Sequence, residues 1–136
     1  MTDTQLYQEA LAFFKLKFES EPETSVFAPG RANLIGEHTD YNNGFVLPFA
    51  LPHKTIIVAS RSTAKESIVY STAKPGEPVT FLVDGTLSKG SPSWGNYVKG
   101  VVFQYLEDLP REFAFNAVIC SNVPLGSGLS SSAALE

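Results

Sequence analysis

Residues 113–136 read FAFNAVICSNVPLGSGLSSSAALE, and the order of signals within them sets the fold class. Phe113 to Cys120 is apolar and rich in β-formers, which predicts a strand. Asn122 to Leu129 is a glycine-rich loop, and Ser130 onward begins a helix. A strand that runs through a glycine loop into a helix leaves backbone amides exposed where an anion can be held. Gly126 and Gly128 allow positive φ and close backbone approach, and the hydroxyls of Ser130, Ser131 and Ser132 can donate to phosphate or ligate Mg²⁺.

Two familiar phosphate loops are excluded by residue. GxxxxGK[ST] needs a lysine that this loop lacks, and a dinucleotide fingerprint needs a third glycine where Ser131 stands. A hydrolase elbow is disfavoured, because no GxSxG occurs and no motif ties His38 or His53 to a serine. For a bare GxG, an ordinary Gly/Ser turn with a serine helix cap is the commoner reading. The flanking strand, the three hydroxyls and Ala133-Ala134 favour phosphate here.

Upstream, residues 5–18 place Leu6, Ala10, Leu11, Phe14 and Phe18 on one face, which predicts a helix capped by Thr2, Asp3 or Thr4. Ser25 to Ala28 predicts a short strand stopped by Pro29-Gly30, after which Ala32 to Ile35 is apolar again. Gly36 to Gly44 is polar and Phe45 to Leu51 apolar, so the polar stretch is expected as a loop held between buried strands. Thr55 to Ala59, Ser67 to Thr72 and Val79 to Val83 predict three more strands in an antiparallel arrangement. Ser93 is expected to cap a helix whose buried face carries Trp94, Tyr97, Val98, Val101, Val102 and Tyr105.

The loop Gly30-Arg31-Ala32-Asn33-Leu34-Ile35-Gly36-Glu37-His38-Thr39-Asp40-Tyr41 gathers a guanidinium, two carboxylates, an imidazole and an amide. Ionised oxygens accept strongly from O–H donors, so this set suits a polyol such as a sugar. The competing reading is a solvated loop in which Arg31 pairs with Glu37 or Asp40, worth about 0–1 kcal/mol if exposed. Glu37, His38 and Asp40 are too close in sequence for an ordinary helical metal site.

The rest of the composition bounds the classes. At 136 residues, 43% apolar and 18% charged, the chain is expected to form one domain with a core. Its net charge of −4 is divided evenly between the two halves, so no basic face serves nucleic acid or an anionic membrane. The single Cys120 cannot form an intrachain disulfide, and no signal peptide or membrane span is legible. The expectation is a cytoplasmic protein with no obligate protein partner.

Taken together, these motifs resemble the galactokinase family of the GHMP kinase superfamily. Gly30 to Tyr41 is similar to the family's N-terminal signature, Pro124 to Ala134 to the superfamily's phosphate loop, and Trp94-Gly95-Asn96-Tyr97-Val98 to the helix between them. The resemblance implies an α+β fold, a mixed β-sheet with helices as in the GHMP kinase N-terminal domain, truncated after the phosphate loop. It implies that Arg31 stabilises the transferring phosphoryl group, and that Glu37, His38, Thr39 and Asp40 bind the sugar. Trp94 would lie beside adenine, Gly126, Ser127, Gly128, Leu129, Ser130, Ser131 and Ser132 around the ATP phosphates, and Ser132 would ligate Mg²⁺. The implied reaction transfers the γ-phosphoryl of ATP to the anomeric hydroxyl of D-galactose. The family's catalytic aspartate, acidic Mg²⁺ ligand and C-terminal domain lie beyond residue 136, so these residues alone are expected to be inactive. Competing readings are a galactokinase-like sugar and ATP sensor acting through a protein partner, or another GHMP kinase such as one for N-acetylgalactosamine or mevalonate.

Overall fold

The computed structural model describes residues 1–36 and 38–136. Its elements are α1 (Asp3–Phe18), β1 (Thr24–Ile35), a 3₁₀ turn (Asp40–Asn42), β2 (Leu47–Arg61), β3 (Ser67–Ser71), β4 (Val79–Phe81), α2 (Gly95–Gln104), β5 (Phe115–Ser121) and α3 (Ser131–Leu135). The five strands form one sheet in the order β1-β2-β5-β3-β4. β5 pairs antiparallel with β2 and parallel with β3. The mixed α+β class is therefore as expected. The Ser67 and Val79 strands pair antiparallel as expected, but the wholly antiparallel sheet is corrected, because β5 lies between β2 and β3 and runs parallel to β3.

β5 is apolar at every position from Ala117 to Cys120 because it is covered on both faces. Val118 and Cys120 point to α1, where they meet Leu6, Ala10, Phe14, Ile56 and Val58. Ala117 and Ile119 point the other way, to Val69, Val79 and Phe81, with Trp94, Val98, Val102 and Leu135 packed over them. The result is α1 on one face and α2 with α3 on the other. Burial pushes the Cys120 thiol up from its ordinary pKa, so it stays a neutral core side chain. α1 begins as its sequence predicts: Thr2 Oγ1 accepts from the Gln5 N–H, and the Gln5 side chain accepts from the Thr2 N–H.

Four expectations about individual elements change. β1 does not stop at Pro29-Gly30 but continues to Ile35, since a proline's missing N–H is harmless on an edge strand. Phe45 to Leu51 and Thr55 to Ala59 are not separate strands: β2 runs from Leu47 to Arg61 through Pro48 and Pro52. Pairing with β5 begins only at Thr55, so both prolines precede the part of β2 with two neighbours. The segments beside the polar loop are exposed rather than buried, with Ile35 70% and Phe45 98% accessible, because the β1–β2 hairpin projects past β5. The expected strands Val79 to Val83 and Phe113 to Cys120 occur as Val79–Phe81 and Phe115–Ser121.

α2 is corrected at both its start and its face. Ser93 does not cap it; Trp94 occupies the cap position without a side-chain bond. The N–H groups of Gly95, Asn96 and Tyr97 donate to the carbonyls of Pro92, Ser93 and Trp94, so a tight turn satisfies donors that a serine cap would otherwise take. Val98 and Val102 pack inward, whereas Tyr97 and Tyr105 are exposed. The expected buried aromatic face is thus reduced to Trp94, which is half-buried.

Phe14 is fully buried between α1 and the sheet, while Leu16 two residues on is exposed. Phe14→Ala is expected to cost about 3–5 kcal/mol of unfolding free energy, and Leu16→Ala no more than about 0.5 kcal/mol. Denaturant titration of both variants tests this assignment of the core.

Candidate functional site

The polar loop at the tip of the β1–β2 hairpin is organised by Thr39. Its hydroxyl lies 2.8 Å from the Gly36 carbonyl and 2.9 Å from the Phe45 carbonyl, sharing one proton across the two ends of the loop. The Thr39 carbonyl accepts from the N–H groups of Asn42 and Gly44. His38 is exposed and has a left-handed backbone with φ 59°. The Asn42 amide donates to its carbonyl at 2.9 Å, and its Nδ1 is hydrogen-bonded to the Tyr41 hydroxyl at 2.5 Å. His38 is thereby oriented at the surface. Glu37 lies outside the described residues, and Asp40 opens the 3₁₀ turn.

The glycine loop is fastened at both ends. At its start, Asn122 exchanges hydrogen bonds with the Lys54 backbone, its N–H donating to the Lys54 carbonyl at 3.1 Å and its Oδ1 accepting from the Lys54 N–H at 2.7 Å. At its end, the Leu129 carbonyl accepts from the Arg31 N–H at 3.1 Å. In between, Gly126 and Gly128 have φ 68° and 73°, left-handed values that glycine allows. The Ser127 hydroxyl donates to the Pro124 carbonyl and closes the turn.

Ser130 does not act as the ordinary helix cap that a plain turn would need. Its own φ is 62° and its hydroxyl makes no cap bond. Ser132 is exposed, Ser130 and Ser131 are half-buried, and among the described residues none of the three hydroxyls is engaged in a hydrogen bond. Three hydroxyl groups thus remain available where the loop turns into α3.

Trp94 is held by its indole N–H, which donates to the Glu77 carbonyl at 3.1 Å. It lines an open cleft of about 730 Å³ together with Lys89, Asn96, Tyr97 and Glu136. Glu136 directly follows α3, and α2 and α3 touch, so the cleft adjoins the helix that the glycine loop enters. Among the described residues no three His, Cys, Asp or Glu side chains cluster as a metal site, and no helix is long and apolar enough to cross a membrane.

The structure therefore brings Arg31 and the glycine loop into direct contact and places the Trp94 cleft beside α3. Three contributors had no site role assigned from the sequence: Tyr41 and Asn42, which orient His38, and Gly30, which lies against Leu129. The side chains that orient His38 stand three and four residues from it, a spacing that could have suggested a local turn.

This arrangement of sheet, helices and glycine loop is that of a GHMP kinase N-terminal domain. The superfamily's N-terminal domain matches residues 96–136, and a mevalonate kinase structure shares the fold with TM-score 0.71 at 19% identity, over 83% of this chain and 37% of that one. The galactose-binding signature of galactokinases matches residues 12–61. Human galactokinase is 47% identical over 97% of this chain and 35% of its own length, and galactokinase of Haemophilus influenzae strain PittGG is 43% identical over 95% and 34%. Lactococcus lactis galactokinase, solved in complex with galactose, superposes with TM-score 0.80 at 35% identity, covering 93% of this chain and 33% of that one. The chain belongs to the galactokinase family and spans about a third of the length of these relatives, corresponding to their N-terminal portion.

If the Thr39 hydroxyl holds the hairpin tip, Thr39→Val should lower stability by about 1 kcal/mol, while Thr39→Ser should retain it. Chemical denaturation distinguishes the two; a loss in Thr39→Ser with stability kept in Thr39→Val would assign the effect to the threonine methyl group.

Proposed function

We propose that the protein carrying these residues is a galactokinase, transferring the γ-phosphoryl of ATP to the anomeric hydroxyl of D-galactose. The observation that carries this reading is the hydrogen bond from the Arg31 N–H to the Leu129 carbonyl. It sets a guanidinium-bearing residue of the strand leading to the sugar loop directly against the loop suited to phosphate. In the proposed reaction the sugar oxygen attacks the γ-phosphorus, and the bond to the bridging oxygen breaks to release ADP. Catalysis of such a transfer rests on positioning and charge stabilisation.

The residues divide the work. Arg31 neutralises charge on the transferring group, and the loop from Gly126 to Ser132 wraps the nucleotide phosphates with its amides and free hydroxyls. Glu37, His38 and Asp40 accept from galactose hydroxyls, with His38 aimed by Tyr41. Thr39, whose hydroxyl is committed to the loop's own carbonyls, contributes by holding that turn in shape. Trp94, with its N–H satisfied, offers its ring to the adenine.

The available Ser132 hydroxyl fits one ligand position of Mg²⁺, which when bound supplies positive charge to the phosphates. We place the base near the attacking hydroxyl, the acidic Mg²⁺ ligand and the C-terminal domain outside residues 1–136, a partial N-terminal domain that has no galactose-dependent turnover when isolated. Cytoplasmic location, and action without a protein partner, complete the proposal. The sensor reading has no specific observation in its favour.

Galactose-dependent ADP release by the full-length protein that carries these residues tests the activity. Asp40→Ala should lower kcat/KM for galactose by about tenfold to a hundredfold with ATP binding preserved, as expected for one charge-assisted hydrogen bond; an unchanged kcat/KM removes Asp40 from the site. For Ser132→Ala, a fall in kcat is expected with stability within about 1 kcal/mol of the unsubstituted protein, because Ser130 and not Ser132 occupies the cap position of α3. Parallel melting and turnover measurements check it, and lower stability with unchanged kcat refutes the metal role.

A further inference from the structure

The contact between β1 and the glycine loop depends on a residue with no side chain. Gly30 is buried, and a Cβ built on it would lie 2.9 Å from the Leu129 carbonyl oxygen and 3.2 Å and 3.4 Å from the two Val123 methyl carbons. Its φ is not in the left-handed region, in contrast to Gly36, Gly126 and Gly128, so the backbone conformation does not require glycine there. Space does. Val123 is itself buried where β5 gives way to the loop, and it has little room to retreat.

β1 is the edge of the sheet, and the Arg31 N–H is directed to the Leu129 carbonyl rather than to a second strand. The other end of the loop is held at Asn122 by Lys54, while nothing lies within 4 Å of where a Cβ would stand on Gly126 or Gly128. The tip is open and the two ends are fixed. Displacing Leu129 would therefore move Ser130 to Ser132 relative to Arg31, without disturbing the Thr39 bonds that shape the hairpin tip or the Trp94 anchor on Glu77.

We propose that Gly30 is a positioning residue: its missing side chain lets Leu129 seat against β1 and so sets the phosphate loop in register with Arg31. The inference rests on the kinase reading above and names a residue through which that site is assembled. Its consequence is selective. A methyl group at position 30 should weaken ligands that carry phosphates and leave a phosphate-free nucleoside and the sugar unaffected.

The test uses calorimetric titration of the full-length protein that carries these residues with Mg·ADP, adenosine and galactose, for the unsubstituted protein and for Gly30→Ala. ADP affinity is expected to fall about tenfold or more, the scale of one lost charge-assisted hydrogen bond, with adenosine and galactose affinities changed by less than about twofold. Should Gly30→Ala fold poorly, the same comparison is made for Gly30→Ala/Val123→Ala against Val123→Ala, which clears both methyl contacts and keeps the carbonyl contact. Unchanged ADP affinity, or an equal loss for all three ligands, overturns the positioning role while leaving the kinase reading intact. An unsubstituted protein that binds neither ADP nor adenosine overturns the kinase reading, and this inference with it.

Discussion

β5 is buried on both faces from Ala117 to Cys120, and that constraint organises the rest of the molecule. Val118 and Cys120 need cover on one side and Ala117 and Ile119 on the other, so helices must lie on both faces of the sheet. A short strand with this demand also has fixed neighbours: β2 on one edge, antiparallel, and β3 on the other, parallel. Where β5 ends, the chain enters the glycine loop. There Asn122 ties it to Lys54, and the glycine loop is delivered to the outer side of β1.

The candidate site follows from that delivery. Arg31 lies on the edge strand, and its N–H would face water if the Leu129 carbonyl did not accept from it. A single backbone hydrogen bond is worth little net free energy, about 0.5–1.5 kcal/mol. Its importance is geometric, since it fixes where a five-residue helix begins relative to a guanidinium. The short length of α3 also limits how much a helix dipole can contribute. Loop amides and the hydroxyls of Ser130, Ser131 and Ser132 are consequently the groups suited to phosphate charge.

Exposed apolar side chains gather on the hairpin that carries the polar loop, including Leu34, Ile35, Phe45, Leu47 and Phe49. The expectation of buried flanking strands failed here for a definite reason. An apolar run records that a segment is suited to burial, while actual burial requires another element over it, and β5 pairs with β2 only from Thr55 onward. The same logic applies to α2, where the helical spacing was right but only part of the apolar face has a sheet beneath it.

The sequence by itself determined the elements whose signals are local. The periodicity of Leu6, Ala10 and Phe14 with Thr2 before it, the glycines at 126 and 128, and the dense polar set from Arg31 to Tyr41 depend on neighbours a few residues away. Tertiary structure alone decided what depends on distant pairing: that Pro29, Pro48 and Pro52 sit inside long strands, and that β3 runs parallel to β5. It also decided that Gly30 is needed for space against Leu129, ninety-nine positions later. A steric requirement of this kind leaves no mark in local composition, because the atom that imposes it belongs to a loop that reaches β1 only after the sheet has formed.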